Sequence, residues 1–245
     1  MCVFTSLRAD KAKLEKRFDA TLVEEESFGP KYVQNAFEFP KWPVITGINP
    51  QNIRLMNWGL IPGWMKDRES ALKFRANTVN ARAETIHEKP AFRVAAEARH
   101  CLVLADGFFE FREVEGAKFP YYIRLKGGAP FAMAGLYDQW VDPDSGNELY
   151  GFSIITTAAN PLMEMIHNRK KRMPAILPVQ MERDWLVTGS QADALLIPLD
   201  EQIMEAWTVT RKITDKGIGG GSPSMLDPVD YPEIRGSGYS QGFLF

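Results

Sequence analysis

The second residue of the chain is a cysteine, one of only two in the sequence, and that position gives it chemistry no internal cysteine has. If Met1 is removed, Cys2 presents a free α-amine and a thiol on adjacent carbons. If Met1 stays, Cys2 is a small, semi-apolar residue at the start of a strand. Three other places hold groups in suggestive surroundings. Histidine is scarce, with only His87, His100 and His167. His167 stands just before NRKKRMP, in a loop rich in positive charge, where the neutral imidazole is favoured and a proton can be accepted near pH 7. Lone histidines are usually structural or exposed, so the other two are expected to be ignorable. Glu110 lies in GFFEF, where a carboxylate among aromatics either has a raised pKa, finds a cationic partner, or points outward from an edge strand. Asn80, Arg82 and Glu84 fall in TVNARAE, and an extended segment would put all three on one face. That pattern fits a polar site wall and an ordinary surface strand equally.

The elements that must position these residues are legible in part. DKAKLEKRFDA (10–20) spaces Leu14 and Phe18 as a short amphipathic helix begun by Asp10. VITGI (44–48) and IRLMNW (53–58) are expected strands around a turn at Asn49 and Pro50, and WGLIPGW interrupts regular structure. A helix is expected at 90–98, opened by Pro90. From Cys101 onward, CLVLADGFFEF, PYYIRLK, PFAMAGLYDQW and LYGFSIITT are rich in β-branched and aromatic residues separated by turn signals. Successive hairpins of this kind predict antiparallel sheet, not alternating βαβ units. A short helix near 161–166, a strand at PAILPV, a helix start at ERDWL and a closing strand at WTVTRKI (207–213) follow. The expected fold is therefore α+β: a single domain over 1–213 with a curved, mostly antiparallel, barrel-like sheet core and peripheral helices. Residues 214–245, with GIGGGSP and GSGYSQG, read as a loosely held Gly/Ser/Pro-rich tail.

Bulk properties exclude several classes. The chain has 245 residues, 45% hydrophobic and 24% charged, as expected for a globular protein with a sizeable core. No run approaches the roughly 20 apolar residues of a membrane span, and no signal-peptide h-region is present. Two cysteines suit a reducing compartment, so a cytoplasmic location is expected. The net charge of −2 excludes a protein that coats nucleic acid by bulk charge. Any nucleic-acid partner must be engaged locally, near RKKR (169–172) or Arg75, Arg82, Arg93 and Arg99.

Taken together, MC at the start, WGLIPGW, NARAET, KPAFR, CLVLADGFFEF, FAMAGLYDQW, ITTAANPLM, IH and RMPAILP resemble, in order and approximate spacing, the SRAP family (SOS response-associated peptidase, abasic-site processing proteins). The resemblance spans nearly all of 1–188. It implies that Cys2 is a nucleophile that cross-links to abasic sites in single-stranded DNA, with Asn80, Glu110 and His167 as the other active-site residues. It further implies backbone contacts to DNA from Arg82 and Arg172, and stacking near the lesion by Trp64. No cofactor or metal is implied, nothing suggests an obligate oligomer, and accompanying lyase and self-processing peptidase activities are expected. An α-amine of pKa about 7.7–8 is partly neutral at pH 7, so it can form a Schiff base with the lesion's aldehyde. The adjacent thiol can then close a thiazolidine ring. Departures from the family pattern are Val3-Phe4 in place of Gly-Arg, Phe111 in place of Trp, YVQNAFEFP, Met65, and extra residues before RMP. Two alternatives stay open: an N-terminal-nucleophile thiol hydrolase using the same Cys2 and His167 on an amide, and a single-strand binding module that keeps Met1.

Overall fold

The computed structural model describes residues 2–23, 28–187, 190–215, 217, 220–234 and 243–244. The chain opens on β1 (Phe4–Leu7), α1 (Lys11–Phe18) and β2 (Thr21–Leu22). Next come β3 (Lys31–Asn35), β4 (Lys41–Thr46), β5 (Asn52–Trp58), α2 (Arg68–Phe74), β6 (Asn80–Arg82) and α3 (Arg93–Ala98). The long strands are β7 (His100–Ala105), β8 (Gly107–Val114), β9 (Ala117–Leu125), β10 (Phe131–Val141) and β11 (Glu148–Ala158). They are followed by α4 (Pro161–Ile166), β12 (Arg172–Pro174), β13 (Ile176–Leu177), α5 (Glu182–Leu186), β14 (Met204–Thr208) and β15 (Phe243–Leu244).

Strands β11, β10, β7, β4 and β5 pair in that order, and β5 returns to β11, so five strands close into a barrel. All of these pairings are antiparallel except the parallel closing pair. A second sheet, ordered β15-β14-β9-β8-β1-β3, is antiparallel throughout. The chain passes from barrel to sheet between β7 and β8. Gly107 makes that crossing possible, because a Cβ there would collide with the Tyr122 ring. The α+β class and the curved, mostly antiparallel core agree with the sequence expectation.

Local signals hold where chemistry is local. Asp10 caps α1 by accepting from Lys13 N at 2.8 Å, and Leu14 and Phe18 are buried beneath it. The barrel interior buries Trp42 and Trp58, whose indole N–H groups donate to Leu104 O at 2.7 Å and Val79 O at 2.9 Å. His100 and His87 are away from the candidate chemistry, as expected. His100 stacks on Trp185 with its ring nitrogens at the carbonyls of Trp185 and Ala96, and His87 pairs with Asp193.

Five expectations need correction. The helix expected at 90–98 is not opened by Pro90: residues 90–92 form a turn and the helix runs Arg93–Ala98. WTVTRKI is not one strand: β14 begins earlier, at Met204, and Thr210 caps a 3₁₀ turn over Arg211–Thr214. PAILPV divides, because Arg172–Pro174 pairs with β11 and Ile176–Leu177 with β10. The alternation through Asn80, Arg82 and Glu84 fails after Arg82, where the chain turns into a 3₁₀ segment over Ala83–Thr85. Finally, the described part of the tail is docked. Trp207 Nε1 donates to Leu226 O at 2.7 Å, Tyr231 OH donates to Val209 O at 2.7 Å, and Gly220 bridges to Val33. Leu226 and Ile234 supply the apolar anchors that composition hid.

Candidate active site

Sheet register builds the site. On β1 and β8, Phe4 lies opposite Phe109, which brings the residues just before Phe4 alongside those just after Phe109. Cys2 and Glu110 are thereby neighbours. The short β6 runs parallel to β11 with Asn80 opposite Ile154, and Asn80 Nδ2 donates to Cys2 O at 2.8 Å. His167 ends α4, a helix begun by the Asn160 cap and Pro161. Its Nδ1 lies 2.9 Å from Arg172 O and 3.8 Å from Glu110 Oε1. A carbonyl can only accept, so Nδ1 carries the proton and Nε2 keeps its lone pair in the neutral ring.

All four groups are buried: Cys2 at 1% exposure, Glu110 at 3%, Asn80 and His167 at 8%. Glu110 therefore points inward, which excludes the outward edge-strand placement. Burial pushes the Cys2 thiol well above its usual range, and the Glu110 carboxylate adds to the effect. His167 is held below the ordinary imidazole value, as expected, but the leading cause is desolvation, with Glu110 opposing it and Lys170 a lesser contributor. The RKKR charges are not the main reason. Among the described residues no cluster of three or more His, Cys, Asp or Glu side chains converges to hold a metal, and no helix is long and apolar enough to cross a membrane.

An open cleft of about 580 Å³ is lined by two of these four groups, Glu110 and His167, together with Phe111, Glu113, Lys118, Arg169 and Lys170. The histidine loop is fastened to β8 by a residue the sequence reading passed over. Asn168 Oδ1 accepts from Glu113 N at 3.0 Å and its Nδ2 donates to Glu113 O at 2.8 Å, so one amide imitates a ladder pair. Arg169 adds contacts of 3.0 and 3.1 Å to both Glu113 carboxylate oxygens. The only sequence signal was the side-chain type, an amide with both donor and acceptor beside the histidine.

The residues expected to meet DNA are placed differently from one another. Trp64 is 54% exposed, on a loop pinned on either side of it by β10. Gly63 N donates to Asp138 Oδ2 at 3.0 Å, and Trp140 Nε1 donates to Met65 O at 2.7 Å. Asp138 is itself buried and paired with Arg99. Arg82 is exposed at the end of β6. Arg172 turns inward: its guanidinium donates to Glu84 Oε1 at 2.6 Å and to Thr156 O at 2.5 Å, and its side chain is 13% exposed. That pair holds the Glu84 carboxyl below its usual range.

A sequence model of the family described as SOS response associated peptidase (SRAP) matches residues 1–216. The chain belongs to the SRAP family. Among its curated relatives is the abasic site processing protein YoqW of Bacillus subtilis, 39% identical over 196 residues, covering 77% of this chain and 83% of the relative. The abasic site processing protein HMCES of Pongo abelii is 33% identical over 224 residues, covering 77% of this chain and 61% of that longer protein. A solved structure from Bacteroides thetaiotaomicron superposes with a TM-score of 0.87 at 37% identity, over 93% of this chain and all of the other. Against the SRAP pattern, the departures at Phe4 and Phe111 prove to be one feature: the two rings meet edge to face at 6.0 Å. Where the pattern has an arginine and a tryptophan, this chain has an aromatic contact between β1 and β8.

Proposed function

We propose that this protein captures abasic sites in single-stranded DNA by forming a covalent bond through Cys2 after Met1 is removed. The observation that carries the reading is the meeting of Cys2, Asn80, Glu110 and His167 from separate segments in one buried cluster, two of whose members, Glu110 and His167, line an open cleft. Membership of a family whose relatives are named for abasic-site processing supports it. The reacting unit is residues 1–213, with 214–245 outside it.

His167 takes the proton of the C1′ hydroxyl as the sugar ring opens, and the ring oxygen is protonated in turn. The neutral α-amine then attacks the aldehyde carbon to give a carbinolamine. Loss of water, assisted by Glu110 as proton shuttle, leaves the Schiff base. The thiol adds across the C=N bond: sulfur bonds to C1′, the thiol proton passes to nitrogen, and a thiazolidine results. Asn80 fixes the Cys2 carbonyl and so the direction in which the amine points. A Schiff base that does not close can instead lose its 3′ phosphate by β-elimination, which is strand-cleaving lyase activity.

The high thiol pKa favours this order of events. A thiol hydrolase attacks as thiolate and needs a depressed pKa, whereas burial and Glu110 drive Cys2 the other way. The test is a denaturing gel of wild type and Cys2→Ala with an oligonucleotide carrying one abasic site. A heat-resistant shifted band in wild type alone is expected. No band from demethionylated wild type, with the oligonucleotide intact, overturns the reading and turns attention to amide hydrolysis.

A further inference from the structure

We propose that the cleft over Glu110 and His167 is the channel for the strand flanking the lesion, and that Lys118 and Lys170 hold its phosphates at the rim. This rests on the capture reading above and adds to it a binding set separate from Trp64, Arg82 and Arg172, none of which lines the cleft. Four charged side chains stand around the cleft, besides the buried Glu110 and His167. Two of them cancel, because Arg169 binds both oxygens of Glu113. Lys118 and Lys170 remain, both exposed, and neither pairs with a carboxylate among the described residues. They reach the cleft from different elements: Lys118 on β9, directly across the hairpin from Glu113, and Lys170 on the loop that follows His167.

The cleft floor is unsuited to a phosphate. Glu110 is a buried carboxyl, and Phe111, packed against Phe4, is apolar. Bringing a phosphate to that depth would cost desolvation and set it against the Glu110 carboxyl. At the rim the same phosphate meets two free ammonium groups that need to give up no existing partner. Charge is thus segregated by depth. Phosphates stay at the rim, and the uncharged sugar is left over Glu110 and His167, the two members of the buried cluster that line the cleft. The contrast with Arg172 is direct, since its guanidinium is already engaged by Glu84 and Thr156.

The test is equilibrium binding of an unmodified oligothymidylate, with no abasic site, across a salt titration. Each phosphate neutralised on a single strand contributes about 0.7 to the slope of log K against log salt. Lys118→Ala/Lys170→Ala is expected to flatten the wild-type slope by about 1.4, so a fourfold rise in salt costs the variant roughly sevenfold less affinity. Lys118→Arg/Lys170→Arg, which keeps the charges, should restore the slope. An unchanged slope in the alanine pair overturns the proposal. Covalent capture by wild type is scored separately on an abasic oligonucleotide. Capture with an unchanged slope removes the rim alone, and a flattened slope without capture removes the capture reading while the phosphate rim stands.

Discussion

On the buried floor of the site, Cys2, Asn80, Glu110 and His167 are at most 8% exposed and are held by strand pairing or by the end of a capped helix. On its surroundings, Trp64 is 54% exposed, Arg82, Lys118 and Lys170 face solvent, and loops or strand ends carry most of them. The floor is buried, and in the capture proposed above its groups move protons and electron pairs at fixed positions, where electrostatic effects are strong. The surrounding groups work in water, where single charges are screened and binding comes from several weak contacts. Changes to the floor should therefore alter the rate of bond formation, and changes around it should alter affinity and its salt dependence.

The largest effect that can break this division is at Glu110. Glu110→Gln keeps the shape and removes the proton shuttle, so single-turnover capture at saturating DNA should slow by about 10² to 10⁴. Its salt slope should match wild type. A normal rate with weakened binding would put Glu110 in the wrong class.

The pH profile comes next in size. As pH falls, the α-amine protonates first and His167 second, and both changes remove a nucleophile or base. Between pH 8, near the amine pKa, and pH 6.5 the wild-type rate should drop about 16-fold. Burial holds His167 below its ordinary value, so the profile should steepen only below about pH 6.5. His167→Gln should lose that second steepening and keep the first.

Trp64 sharpens the comparison from the other side. Removing one base-stacking surface costs on the order of 1–3 kcal/mol, so Trp64→Ala should weaken binding roughly tenfold without changing the slope against salt. The smallest effect is at Glu84. Glu84→Ala frees Arg172 from its 2.6 Å partner, and the released guanidinium should add about 0.7 to the salt slope and tighten binding a fewfold at low salt. A weaker binder instead would mean that Glu84 orders the Arg172 side chain for DNA.

The strands from Cys101 onward were legible because β-branched and aromatic runs alternate with turns. The closure of the barrel was not. Alternation tells which face a strand buries, not which partner it takes, and β5 meets β11 through a parallel pair between distant segments. The same limit applies at the site. Glu110 could be read as unusual from its aromatic neighbours, but only the β1–β8 register puts it beside Cys2. His167 was read in the right direction for an incomplete reason, because burial depends on the fold and local charge does not. Asn168 and Asp138 give no local signal because their partners are distant in sequence: the Glu113 backbone for Asn168, and Gly63 N and the Arg99 side chain for Asp138. Glu84 was placed with Asn80 by a pattern that the turn after Arg82 breaks, yet it meets Arg172 across 88 residues.

The most direct test of the central claim is the intact mass of the protein–DNA adduct formed by Cys2→Ala beside wild type, each with and without borohydride. An amine alone gives a Schiff base that survives only if reduced, whereas amine and thiol together give a ring that needs no reduction. The account predicts a wild-type adduct without borohydride, at the mass of demethionylated protein plus oligonucleotide less one water, and a Cys2→Ala adduct only with borohydride. A Cys2→Ala adduct that persists unreduced, or a wild-type adduct retaining Met1, would contradict it.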